Sequence, residues 1–198
     1  MTDCTELAVI DGFYDAVESE QLYQRLLHEQ NWPDNRYIVA GRLFILPRLQ
    51  TWHADTGIRY SYSNNLLETR SWSPLLLEIR AKVEAFLNFS FNSVLVNLYR
   101  NGEDYVGWHS DNEVELGEQP FIASLTFGAE RLFEFRHKKT LQQGQLLLRS
   151  GTLLIMQPNF QHDWLHGVPI DKSVQEGRIN LTFRKVVPAI ITTSGGMV

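Results

Sequence analysis

Between Ser93 and Val187 the chain breaks into short apolar or alternating runs separated by turn residues, and few folds accept that pattern. The runs cover residues 94–99, 121–127, 132–136, 145–148, 152–156 and 179–187. Asn101-Gly102, Gly128, Gly144 and Ser150-Gly151 punctuate them, as turn formers do between strands. Upstream, the periodicity is helical. Ser73 caps one helix, Pro74 takes its first position, and Leu76, Ile79, Val83 and Phe86 keep a helical period as far as Asn88. An earlier helix has Ser19 as its N-cap, carries Leu22, Leu26 and Leu27, and ends near Trp32-Pro33. Residues 37–44 read as a strand that Gly41 either weakens or turns into a hairpin tip. Pro47 to Asp55 reads as a polar loop, and Tyr60-Ser61-Tyr62 as a short extended piece. Many short strands after two helices predict a mainly β fold of the α+β class, a two-sheet sandwich or jelly roll with flanking helices.

A chain of 198 residues, 43% hydrophobic and 12% aromatic, can bury one sizeable core, and we expect a single domain. No apolar run approaches the roughly 18 residues a membrane span needs. Met1-Thr2-Asp3-Cys4-Thr5-Glu6 lacks the basic start of a secretory signal, and Cys4 is the only cysteine. A reducing, cytoplasmic setting and a monomer are expected. The net charge of -5 argues against a general nucleic-acid binder, so any such contact has to be local. Residues 192–198, with Gly195-Gly196, read as a frayed tail.

Three constellations carry chemistry. In Gly107-Trp108-His109-Ser110-Asp111-Asn112-Glu113, His109 and Asp111 stand two apart, so an extended backbone turns both to one side. A further histidine would complete the two-histidine, one-carboxylate face that leaves positions open on non-haem iron(II). His162 and His166 both qualify by position, and spacing alone does not choose between them. In Arg178-Ile179-Asn180-Leu181-Thr182-Phe183-Arg184, the polar residues share one face and Ile179, Leu181 and Phe183 the other. Two guanidiniums on one face repel unless anions lie between them. A dicarboxylate meets that need, because each arginine can grip one carboxylate in bidentate fashion; solvated surface arginines are the plainer alternative. Asn97 and Tyr99 alternate with Val96 and Leu98 in the same way.

These pieces occur in one order: Asn97-x-Tyr99, His109-x-Asp111, His166, then Arg178 and Arg184. That order resembles the AlkB family of iron(II)- and 2-oxoglutarate-dependent dioxygenases. Asn97-Leu98-Tyr99-Arg100-Asn101, Trp108-His109-Ser110-Asp111, Ile122-Ala123-Ser124-Leu125-Thr126-Phe127-Gly128-Ala129 and Arg178–Arg184 all look like its signatures. Pro47-Arg48-Leu49-Gln50 and Tyr60-Ser61-Tyr62-Ser63 extend the likeness upstream. The resemblance runs over about residues 10–187 and is strongest to the branch that repairs alkylated bases. It implies a double-stranded β-helix with an N-terminal substrate-recognition lid. Residues 10–92 would hold helices and lid, 93–187 the catalytic core and 188–198 a tail. It selects His166, which precedes Gly167-Val168-Pro169, to bind iron with His109 and Asp111. It assigns Arg184 to the 1-carboxylate of 2-oxoglutarate and Arg178 to the distal one, with Asn97, Tyr99, Asn180 and Thr182 around the cofactor.

The implied reaction is oxidative demethylation with O2, releasing formaldehyde, succinate and CO2. The implied substrates are 1-methyladenine and 3-methylcytosine in DNA or RNA. Such bases are cationic, and cations are held by aromatic faces and carboxylates. The resemblance gives these tasks to Tyr62 and Glu113, with Tyr60 and Arg48 as further substrate contacts. Ala40 stands where duplex-active relatives carry a bulky wedge. A methyl group cannot fill the gap left by a flipped base, so single strands are the expected substrate. Arg48, Arg59 and Arg136-His137-Lys138-Lys139 are candidates for phosphate contact. Three other functions remain open at this point: an AlkB-like oxygenase of protein or lipid, a non-enzymatic jelly-roll binding module, and a zinc hydrolase on the same three ligands.

Overall fold

The computed structural model describes residues 4–34, 36–39, 42–58, 61–62, 65–66 and 68–187, with the backbone alone at 37–39, 61–62 and 65–66. The chain runs β1 (Leu7–Ile10), α1 (Ala16–Glu29), β2 (Arg36–Val39), β3 (Arg42–Ile45), β4 (Leu49–Ala54), β5 (Ser61–Tyr62), β6 (Asn65–Leu66), β7 (Thr69–Arg70) and α2 (Pro74–Leu87). It continues through β8 (Ser93–Tyr99), β9 (Val106–His109), a 3-10 turn (Val114–Leu116), β10 (Ile122–Gly128), β11 (Arg131–His137) and β12 (Gln143–Leu148). Then come β13 (Leu153–Met156), α3 (Pro158–Asp163), β14 (Trp164–Val168) and β15 (Arg178–Arg184).

A major sheet of seven strands, ordered β1-β13-β10-β15-β8-β4-β7, faces a minor sheet ordered β12-β11-β14-β9. The expected jelly roll is therefore present. Its physical basis is the two-residue period of the central strands. Ile179, Leu181 and Phe183 of β15, with Val94, Val96 and Leu98 of β8, turn outward and pack beneath Leu22 and Leu26 of α1 and Leu76, Ile79 and Val83 of α2. The alternate residues turn inward, between the sheets. A second cluster, with Phe133, Phe135, Leu154, Met156, Phe160 and Trp164, fills one end of that space. The polar inward residues line the rest.

The structure corrects three local readings. The first helix is capped by Asp15, whose side chain accepts from the Glu18 N–H while Glu18 reaches back to the cap, a reciprocal capping box. Ser19 lies inside that helix, buried, with Oγ donating to Tyr14 O. Pro47 to Asp55 is not a loop: Leu49–Ala54 is a buried strand of the major sheet, paired with β8. Its Gln50, Thr51 and His53 hid it, because they are polar and yet buried. The last strand ends at Arg184, and Val186 and Val187 bond instead to Asn92 and Glu115.

Strands β1, β4 and β7, from before residue 93, lie in the same sheet as the later strands. β2 pairs antiparallel with β3, Val39 opposite Arg42, in line with the hairpin alternative. Ala40, Gly41, Arg59, Tyr60 and the tail at 192–198 lie outside the described residues.

Candidate active site and metal centre

Strand register assembles the site. Across β15 and β8, Arg178 stands opposite Tyr99 and Asn180 opposite Asn97. Across β15 and β10, Asn180 meets Thr126 and Thr182 meets Ser124. Directly paired residues share a face, so these side chains form a polar patch on the inner surface of the major sheet. The plainer alternative of solvated arginines fails: Arg178, Asn180, Thr182 and Arg184 are all buried. The patch is internally bonded. Thr182 Oγ1 donates to Asn180 Oδ1 at 3.0 Å, and Asn180 Nδ2 donates to Ser124 Oγ at 2.8 Å.

The minor sheet supplies the facing wall. β14 and β9 pair antiparallel with His166 directly opposite His109, and the two rings are 4.3 Å apart. Phe133 stacks on the His166 ring. Asp111 follows β9 by two residues, and one donor atom from each of His109, Asp111 and His166 falls within 4.8 Å of the others. His162 is exposed on α3, so the three residues between the two histidines turn one out and the other in. His109 Nδ1 bonds Gly107 O at 2.9 Å, and its Nε2 lies 3.7 Å from Asp111 Oδ1.

Electrostatics favour metal-ready protonation states. Burial would push the Asp111 carboxyl up, but Arg184, aided by His109 and His166, brings it down to about 2. Arg184 Nη2 donates to Asp111 Oδ2 at 2.7 Å and Nε to the same oxygen at 3.2 Å. Burial lowers both histidines, His166 to about 3, with their mutual repulsion adding to the effect there. Two neutral imidazoles and one carboxylate are the donor set that suits iron(II). Asp111 Oδ1 and His166 Nδ1 are buried with no hydrogen-bond partner among the described residues.

Arg178 is the second anomaly. Its guanidinium bonds Thr126 Oγ1 at 2.9 Å and lies 5.1 Å from the Tyr99 ring centre. Among the described residues, Nε and Nη1 have no hydrogen-bond partner and no carboxylate pairs with the guanidinium. Burial drags it down to about 10. A buried charge left unpaired is costly, which points to an anionic ligand as its missing partner. These groups line one cavity of about 490 Å3, its mouth included.

The 2OG-Fe(II) oxygenase superfamily model matches residues 6–184. The alpha-ketoglutarate-dependent dioxygenase alkB homolog 3 of Bos taurus is 39% identical over 94% of this chain and 68% of its own length. The human protein of that name is 37% identical over the same shares. The DNA oxidative demethylase ALKBH2 of Bos taurus is 35% identical over 91% of this chain and 69% of its own length. This chain belongs to the AlkB family. The solved structure of OsALKBH1 superposes with a TM-score of 0.60 at 16% identity, covering 91% of this chain and 98% of that one, and so shares its fold.

As a 2OG-Fe(II) oxygenase, an AlkB protein uses iron(II), 2-oxoglutarate and O2. The residues here fit them: a convergent His/Asp/His set for the ion, and a buried arginine lacking an anion beside it.

Other expected residues fall elsewhere. Arg48 is buried rather than exposed to phosphate. Its Nε bonds Asn97 Oδ1 at 3.0 Å and its Nη1 bonds Tyr105 O, on the cavity wall. Glu113 is half-buried and leads into the 3-10 turn after Asp111. Tyr62 lies on β5 with only its backbone described. The basic run at 136–139 is largely committed within the fold. Arg136 lies over the Trp108 ring at 5.0 Å, His137 Nδ1 accepts from the Lys139 and Thr140 N–H groups, and Lys138 Nζ bonds Gln161 O and His162 O.

Reading the sequence alone missed two buried groups that shape the site. Arg131 donates to the carbonyls of Asn101, Asp104 and Pro169, tying the segment before β9 to the end of β14. Gln161 accepts from the Asp111 N–H. Neither carries a local signal, since each acts on backbone groups far away in the chain.

Proposed function

We propose that this AlkB protein removes N-methyl groups oxidatively from alkylated bases in nucleic acids, 1-methyladenine and 3-methylcytosine among them, and that it acts as a monomer on unpaired strands. The carrying observation is the His109/Asp111/His166 group, its Asp111 and His166 buried, facing across one cavity a buried Arg178 that has no anion among the described residues. In this reading His109, Asp111 and His166 hold the iron, and Arg178 and Arg184 grip the two ends of 2-oxoglutarate. With iron(II) and 2-oxoglutarate bound, O2 would be the oxidant: one oxygen atom would pass to 2-oxoglutarate as it loses CO2 to become succinate, the other to the methyl carbon, whose hydroxymethyl group would leave as formaldehyde.

The chain's own residues bind and orient. Asn97 and Tyr99 flank the dicarboxylate, and Thr182 and Asn180 floor the same space. Arg184, already bonded to Asp111, links the carboxylate subsite to the metal. The aromatic and aliphatic wall of Phe133, Val168 and Leu95 keeps the cavity dry and strengthens each charge contact. Tyr60, Tyr62 and Glu113 are the proposed contacts to a cationic base, and Arg48, which lines the cavity, is a further one.

The strand preference rests on Ala40, which is too small to replace an extruded base in a stack. Leu43, Phe44 and Ile45 of β3 are exposed close to cavity-lining Arg48 and offer apolar contact to unpaired bases. Formaldehyde release from methylated oligonucleotides, single- and double-stranded, tests both parts, with His109→Ala as control. We expect turnover on single strands, less on duplex, and none with the variant. Faster turnover on duplex would overturn the strand preference; no formaldehyde from any methylated strand would overturn the activity.

A further inference from the structure

Asp111 is tethered at two points. Its carboxylate is bonded by Arg184, and its backbone N–H donates to Gln161 Oε1 at 2.9 Å. Gln161 is 1% exposed. Its Nε2 is directed at Met156 Sδ, 3.4 Å away, and its backbone carbonyl accepts from Lys138 Nζ at 2.8 Å. The side-chain amide is thus held from behind while its oxygen faces Asp111. A second stitch lies beside it: Ser110 Oγ donates to Trp164 O at 2.8 Å. Both stitches land on the segment that leads straight from α3 into β14, where His166 sits. Asp111 lies outside any strand, so no ladder bond fixes it relative to His166.

We infer that Gln161 is a positioning residue that sets the spacing between Asp111 and His166 and thereby the metal affinity. The inference rests on the reading that His109, Asp111 and His166 hold the metal. Its physical basis is the cost of a buried backbone N–H without an acceptor. Remove Gln161 Oε1 and the Asp111 segment has to shift to satisfy that donor. A ligand displaced by a few tenths of an ångström no longer meets the ion with its partners.

The test uses Gln161→Met, which keeps the length of the side chain and its apolar packing but replaces the amide oxygen with a thioether sulfur, at most a weak acceptor. Co(II) titration of the metal-free enzyme, followed by visible absorption without 2-oxoglutarate, reads the site directly. The variant should bind Co(II) about 10- to 100-fold more weakly than wild type, the range seen when partners that orient a ligand are lost. Its Co(II) spectrum should change, and its far-UV circular dichroism should not. In wild type, the Asp111 amide should exchange with solvent far more slowly than that of exposed Asn112, a measurement that decides the matter even if the variant does not fold. A folded variant with wild-type Co(II) affinity, or a wild-type Asp111 amide exchanging as fast as Asn112, overturns the role of Gln161. Wild-type enzyme that binds Co(II) no better than His109→Ala overturns the metal site itself, a separate failure.

Discussion

Two arginines on one strand face make opposite predictions. Arg184 has its anion inside the protein, in Asp111, whereas Arg178 has none among the described residues. Arg184→Met therefore strands a buried carboxylate and should cost the metal-free fold about 3–5 kcal/mol, the usual penalty for breaking a buried pair from one side. Urea titration measures it, and a loss under about 1 kcal/mol would show the pair to be incidental. Arg178→Met removes an uncompensated charge. We expect the metal-free melting temperature to hold or rise, by about 2–4 °C for each ~1 kcal/mol gained in a chain this size. The same variant should bind 2-oxoglutarate about 100-fold more weakly or worse, since two charge-assisted bonds are lost. Anaerobic calorimetry with Mn(II) would read that loss. The alternation of Arg178–Arg184 was legible in the sequence, because a strand's period decides which side chains are companions. The different partners of its two arginines were not, because Asp111 approaches from the other sheet.

Among the elements, the β14–β9 pairing determines how the two histidines meet. Its register shifts between His166 and Val168, with Gly167 in the gap. A Cβ on Gly167 would lie 2.9 Å from Val106 O, so Gly167→Ala has to push the two strands apart. Metal affinity should fall by about tenfold as His109 moves off His166. Gly107→Ala is the matched control, as its Cβ would meet nothing within 4 Å; equal losses in both variants would mean that strand spacing is not what matters. Neither β9 nor β14 was evident as a strand in the sequence. Each is short and carries a glycine and a histidine, so local propensity was outweighed by pairing. The second helix was legible almost to the residue, because Ser73, Pro74 and the left-handed Asn88 are local signals.

At the scale of the whole molecule, the fold carries three histidines pulled below the ordinary 6.5 chiefly by burial: His53, His109 and His166. Each stays neutral when folded at a pH where the unfolded chain takes up a proton. Their contribution to stability is full above about pH 6.5 and is lost as the pH falls below it. His53 Nδ1 donates to Ser71 O, and the residue lies outside those lining the cavity. In chelator, the melting temperature of wild type should drop between about pH 7.5 and 5.5, and that of His53→Gln less steeply. Parallel slopes would mean His53 titrates alike folded and unfolded. The net charge of -5 is compatible with a nucleic-acid substrate where contact is local. Lys138 is already bonded to α3, so less of the basic run at 136–139 is free for phosphate than its composition suggests.

What the sequence determined by itself is everything that depends on neighbours along the chain: the jelly-roll class, the capped second helix, the polar face of Arg178–Arg184, the convergence of His109 with Asp111, and the likeness to AlkB proteins. What only the tertiary structure decided depends on which segments meet. It turned His166 inward and His162 outward, buried Leu49–Ala54 and Arg48, paired Arg184 with Asp111, left Arg178 without an anion, and set Gln161 against the Asp111 backbone. The reason is physical. Periodicity and capping act over a few residues and leave a mark in composition. A contact between a minor-sheet loop and a major-sheet strand is set by the closure of the whole barrel, and no local pattern encodes it.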